Sequence, residues 1–120
     1  MIINLTGKPV RVYGPDAPDV IADDQLDGCT VFPAEVPPAR MAIEVLDAGQ
    51  EALHGIRTVP LYLVRHNVAG LPPRRPNTHL IVEPIVGVVS HGRADLLIPL
   101  DEVHDATGAA VGHRFLGSPC

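Results

Sequence analysis

The chain of 120 residues has no tryptophan, and two tyrosines with two phenylalanines are its only aromatics. Its core must therefore be aliphatic, drawn from valine, leucine, isoleucine and alanine. Lys8 is the only lysine and the formal net charge is −5, with no interleaving of basic and aromatic residues. Such a chain lacks the electrostatic footprint of a general nucleic-acid binder. No stretch approaches the roughly 18 uncharged apolar residues that span a bilayer, and the opening Met1 to Gly7 carries no basic segment followed by an apolar run. A cytoplasmic protein without a membrane partner is the expectation. The two cysteines, Cys29 and Cys120, stand far apart without a second pair, so free thiols are expected in a reducing compartment.

Catalytic signatures are missing as well. There is no Gly-x-Ser-x-Gly elbow, no phosphate-binding loop and no dinucleotide fingerprint. Cys29 has no flanking motif that would lower its pKa, and Cys120 ends a Gly117-Ser118-Pro119 tail. His91, His104 and His113 with Asp95, Asp101 and Asp105 crowd the last third, but their spacing matches no metal signature. The aspartates between Asp16 and Asp27 do not follow the order of a calcium loop. No metal, no cofactor and no catalytic residue is assigned, and a non-enzymatic role is favoured over a small hydrolase.

What is present is an uneven charge distribution. Nine carboxylates lie between Pro15 and Glu51 against the single base Arg40. From Ala52 to Val82 there is no acid, while Arg57, Arg65, Arg74 and Arg75 are joined by His54, His66 and His79. Either the two stretches neutralise each other or face water, or the arginines form an anion-binding surface, with Arg74 and Arg75 leading and Arg65 and Arg57 behind them. Prolines at 72, 73 and 76 stiffen the leading pair, which lowers the entropy lost when guanidinium groups are fixed on a ligand. Arg93, Asp95 and His104 are candidates for a second pocket, although Arg93 and Asp95 also suit an internal pair or a turn cap after Ser90-His91-Gly92.

Short apolar runs punctuated by proline and glycine predict a mainly β fold, a β-rich α+β class in one compact domain over residues 1–120, built of short antiparallel strands with one short helix. Ile2 to Leu5 and Val10 to Tyr13 read as an opening hairpin around Thr6-Gly7-Lys8-Pro9. A short strand is expected at Asp19 to Ala22. Ala39, Met41, Ile43 and Val45 alternate as in a strand with one buried face. Ile56 to Val64 reads as an edge or bulged strand because Pro60 removes a ladder donor, and such an edge calls for cover, most simply from a second copy in a homodimer. Thr78 to Val82 is a further strand. Glu83 to Ser90 is the one helix, with Pro84 at its first position. Leu96 to Ile98 is a strand ended by Pro99, and Val111 to Leu116 returns beyond the Asp105-Ala106-Thr107-Gly108 turn.

Four stretches carry a resemblance: Asn4-Leu5-Thr6, Gly70-Leu71-Pro72, Arg93-Ala94-Asp95-Leu96-Leu97-Ile98-Pro99, and Val103-His104-Asp105-Ala106-Thr107-Gly108-Ala109-Ala110-Val111-Gly112. In this order the chain resembles a family of small, uncharacterised phage, prophage and actinobacterial proteins. Members open with Asn-Leu-Thr-Pro-His and end on an Arg-x-Asp-Leu-x-x-Pro segment and an Asp-x-x-Gly-x-x-Val-Gly hairpin. Two departures stand out: Gly7-Lys8 replaces Pro-His, and His104 replaces the arginine before the hairpin aspartate. The resemblance implies a phage or mobile-element context and no particular chemistry. The resulting expectation is a binding or accessory protein that recognises a small anionic ligand or a host protein. A structural or decoration protein of a particle is the alternative.

Overall fold

Among the described residues, nine strands and one α-helix follow from the valine- and leucine-rich runs. They are β1 (Ile2–Asn4), β2 (Val10–Val12), β3 (Val20–Ile21), β4 (Thr30–Phe32), β5 (Arg40–Leu53), β6 (Arg57–Ala69), β7 (His79–Ile81), α1 (Pro84–Val89), β8 (Leu96–Asp105) and β9 (Ala110–Gly117), with a 3-10 turn at Asp23–Gln25. The structure, a computed structural model, describes residues 1–53, 57–90 and 92–119, and the side chains of 50–53 and 57–59 lie outside that description. His54, His91 and Cys120 also lie outside it, as does the start of the strand expected at Ile56. The fold is mainly β with one short helix, and most paired residues are antiparallel. No helix among the described residues is long and apolar enough to cross a membrane.

Seven strands form the body in the order β1-β7-β8-β9-β2-β4, with β3 added beside β8. The β1, β7 and β8 strands run parallel, β8 and β9 form an antiparallel hairpin, and β2 pairs antiparallel with β4. The core gathers Leu5, Ala39, Leu80, Val82, Val86 and Leu96, with Ile3, Val68, Leu71 and Ile98 packed on it. Full burial stabilises each of the larger aliphatics by roughly 1.5–3 kcal/mol.

The opening hairpin is not formed. β1 pairs with β7 and β2 with β4 and β9, so the two strands part at the turn between them. Between the two strands the buried side chain of Asn4 ties the turn to β4. Its Nδ2 donates to the carbonyls of Lys8 and Phe32 at 2.7 and 2.8 Å, while its Oδ1 accepts from the N–H and hydroxyl of Thr6 at 3.0 and 2.7 Å. The single Thr6 hydroxyl hydrogen is shared between Asn4 Oδ1 and Lys8 O. The knot satisfies backbone groups of the turn, Thr6 N and Lys8 O, and of β4, Phe32 O.

The strand predicted to stop at Pro99 continues to Asp105. β7 pairs with β8 only as far as Leu97, and β3 joins it only from His104. Pro99 therefore sits where β8 has a neighbour on one side alone, and its missing N–H costs no ladder bond there. The Asp105 turn forms as expected: Gly108 takes φ +89°, and Asp105 Oδ1 accepts from Thr107 N, Thr107 Oγ1 and Ala109 N. The helix also begins at Pro84 as expected.

β5 and β6 pair only with each other, from Arg40 with Ala69 out to Leu53 with Arg57, with a register shift between Asp47 and Gln50. This hairpin projects as an arm. The radius of gyration is 19.5 Å and the longest dimension 65 Å, against about 14 Å of gyration radius for a compact chain of this length. The alternating residues of β5 do not bury a face: Ile43 and Val45 are 61% and 57% exposed. Only its root, through Val68, packs on the core.

Candidate functional site

Beyond β6 the chain turns at Gly70, whose φ is +82° and whose missing Cβ would lie 2.4 Å from Pro38 O. Only glycine allows that approach. Leu71 then packs on the core, and Pro72-Pro73 lead into Arg74 and Arg75. The loop is held at both ends. Arg93 Nη2 donates to Pro72 O at 2.9 Å, and Thr78 Oγ1 donates to Pro76 O at 3.1 Å. The Met1 ammonium donates to Asn77 O at 2.8 Å, close to where Met1 O accepts from His79 N.

Between this loop and the turn before β8 lies an open cleft of about 450 Å³, lined by Arg74, Arg75, Asn77, Thr78, His79 and Asp95 among others. Asp95 is its one carboxylate. It is buried and bonded twice by Arg93, Nε to Oδ1 and Nη2 to Oδ2, both at 2.9 Å. The Arg93 hydrogen bonds hold its carboxyl below the usual carboxylate range, against the opposing effect of burial, with a smaller contribution from Arg74. Asp95 is thus neutralised from behind by Arg93. Arg74 and Arg75 are both exposed and have no ion-pair partner among the described residues.

The acidic stretch finds its partners elsewhere. Glu44 faces Arg65 across the arm at 3.9 Å, Asp27 approaches Arg11 at 3.7 Å, and Asp19 binds Arg114. Arg65 therefore stands on the arm and not in the cleft, and the side chain of Arg57 is outside the described residues. Arg93 and Asp95 meet each other, whereas His104 lies further along β8 with its Nε2 3.0 Å from Glu102 Oε1. Among the described residues, no three His, Cys, Asp or Glu side chains gather closely enough to hold a metal ion.

A second cleft of about 630 Å³ was not visible from the sequence. Lys8, Arg11, Glu83, Glu102 and His113 line it, brought from β2, the start of α1 and the β8–β9 hairpin. No local motif links these residues, and parallel pairing of β2 with β9 at Val12 and His113 brings them together. Burial pushes the His113 imidazole below its ordinary value, opposed by Glu102 and reinforced by Lys8. Charges of both signs line this cleft, in contrast to the first, whose two arginines have no ion-pair partner among the described residues. No family model, curated protein or solved structure matches the chain.

Proposed function

We propose that the protein is a non-enzymatic binding protein whose recognition surface for a small anion is the cleft of Arg74, Arg75, Asn77 and His79. The observation that carries this reading is two adjacent guanidinium groups with no ion-pair partner among the described residues, in a fold that supplies one to Arg11, Arg40, Arg65, Arg93 and Arg114. Guanidinium forks match the planar oxygens of phosphate and carboxylate. The Arg93–Asp95 pair and the surrounding prolines fix the loop beforehand, so little entropy is lost on capture. The resemblance to small phage and actinobacterial proteins supports an accessory role in a mobile element, acting in the cytoplasm.

Titration calorimetry with inorganic phosphate, pyrophosphate and citrate tests the reading. At least one of these is expected to bind the wild type, and R74A/R75A is expected to lose about tenfold or more in affinity, equivalent to about 1.4 kcal/mol. Equal binding by both proteins, or none by either, overturns it.

The arm favours a second reading, a structural or decoration subunit of a particle, because projecting apolar hairpins suit contacts between neighbouring subunits. Electron microscopy of the concentrated protein distinguishes the two: closed or extended assemblies support the particle subunit, and uniform small species support the soluble binder.

A further inference from the structure

The second cleft holds two opposite charges that border the same space and do not meet. Pro9, Ile85, Pro99 and Val111 supply its apolar walls, and Ile85 is nearly half exposed there. Two of the ionic groups around it are engaged elsewhere: Glu83 accepts from Arg40 at 3.3 Å, and Arg11 extends toward Leu26 O at 3.5 Å and Asp27 at 3.7 Å. Lys8 has no ion-pair partner among the described residues. Glu102 stands directly opposite His113 in the β8–β9 ladder, so their side chains share a face. Its Oε1 lies 3.0 Å from His104 Nε2, which leaves Oε2 open to a second donor. The charges of Glu102 and Lys8 both act on the His113 imidazole, in opposite directions. Ammonium and carboxylate therefore flank one ring without pairing with each other. The ring itself, held neutral by burial at neutral pH, can accept a hydrogen bond from a cation or donate one to an anion.

We propose that this cleft binds a small zwitterion of the amino-acid type with an apolar side chain, its carboxylate on Lys8, its ammonium on Glu102 and His113, and its side chain against Ile85, Pro99 and Val111. This inference is independent of the anion cleft. The cleft volume of about 630 Å³ falls within the roughly 300–1,000 Å³ of small-molecule sites, which combine apolar walls with a few polar groups that fix orientation. Charge complementarity selects the class. A simple carboxylate gains Lys8 and is set against Glu102, whereas a simple amine gains Glu102 and is set against Lys8; only a ligand carrying both charges satisfies both groups. A dianion such as phosphate is disfavoured here by the same carboxylate. A single amino acid and a short peptide with open ends offer the same chemistry, and ligand length tells them apart.

NMR titration of the nitrogen-15-labelled chain with free L-leucine and with leucyl-leucine tests the proposal. At least one of the two should produce saturable shifts in the amides of Lys8 and of Val111 to His113, and the tighter of them identifies the source as amino acid or peptide. Isocaproate, which lacks the amino group of leucine, and isoamylamine, which lacks its carboxylate, should each bind about tenfold more weakly or worse than the tighter zwitterion. Lys8→Met should abolish the advantage of the zwitterion over isoamylamine, and Glu102→Gln its advantage over isocaproate. Both side chains are exposed, so the variants should melt as the wild type does. Arg74→Ala with Arg75→Ala should leave zwitterion binding unchanged, which separates this site from the anion cleft. Absence of saturable shifts with both zwitterions overturns the proposal. So does isocaproate or isoamylamine binding as tightly as the zwitterion, or undiminished zwitterion affinity in Lys8→Met or Glu102→Gln.

Discussion

Arg93 grips Asp95 through two hydrogen bonds of 2.9 Å and spends the same Nη2 on the carbonyl of Pro72, so one guanidinium ties the strand β8 entrance to the arginine loop. The carboxylate is buried while the arginine is about a quarter exposed. Asp95→Asn removes the charge that the arginine needs and should destabilise the fold by about 1–3 kcal/mol in urea denaturation. The direction with pH follows from the lowered native pKa. A carboxyl ionising more easily in the folded than in the unfolded chain contributes fully above its ordinary 3.8 and loses that contribution as pH falls through the lower native value. The wild type should therefore lose stability below pH 3.8 more steeply than Asp95→Asn.

Arg74→Ala with Arg75→Ala should leave the melting temperature nearly unchanged, because neither side chain is engaged by a carboxylate among the described residues and such surface changes fall within about 0.5 kcal/mol. Arg114→Ala is the contrasting case. Arg114 donates to Ala17 O and to the carboxylates of Asp101 and Asp19, tying the acidic loop to β9. Its loss should lower the melting temperature measurably in the same scan. A large drop for the Arg74 and Arg75 pair would mean that the cleft arginines hold the fold together.

Local chemistry was legible in the sequence wherever neighbouring residues decide the outcome. Pro84 after Glu83 starts the helix, and Asp105 with Gly108 makes the turn that joins β8 and β9. Arrangements set by distant partners were not. Nothing near Ile2 announces its parallel pairing with His79, and nothing near Val12 announces His113. Asn4 reads from the sequence as a strand residue of the opening hairpin, whereas its buried side chain joins the turn after it to β4. Alternation along Ala39 to Val45 indicated a strand, but alternation reports only that the two faces differ. Which face is buried, or whether either is, depends on what packs there. The arginine loop was readable because its residues are consecutive, whereas the Lys8–His113 cleft combines segments that only the sheet order unites.

Asn4→Asp should be more damaging than its size suggests. The Nδ2 that donates to Lys8 O and Phe32 O becomes an oxygen facing two carbonyls at 2.7 and 2.8 Å. Two part-buried acceptors lose their donor, each worth about 1–3 kcal/mol. Chemical denaturation should show a loss of about 2–5 kcal/mol, smaller at acidic pH where the introduced carboxyl is protonated and can donate once.

Gly70→Ala tests the root of the arm. A Cβ there meets the Pro38 carbonyl at 2.4 Å in a backbone conformation of φ +82°. Both the clash and the left-handed backbone oppose the substitution, for a cost of about 2 kcal/mol or more. Gly49→Ala is the control: it shares a positive φ of +97°, and nothing lies within 4 Å of the added atom. Thermal melting should show the larger loss at Gly70.

The sheet order also sets a timetable for folding. The two strands of the arm are neighbours in sequence, and hairpins of this kind form within about 1–10 μs. The body must bring Ile2 to His79 and Val12 to His113, pairings that span most of the chain and carry a large loop-closure entropy. During the interval between the two events, the arm's valines and Tyr62 are displayed on a chain whose body is unfinished. Encounters between chains at this stage compete with completion of the sheet, so the yield of refolded protein should fall as concentration rises.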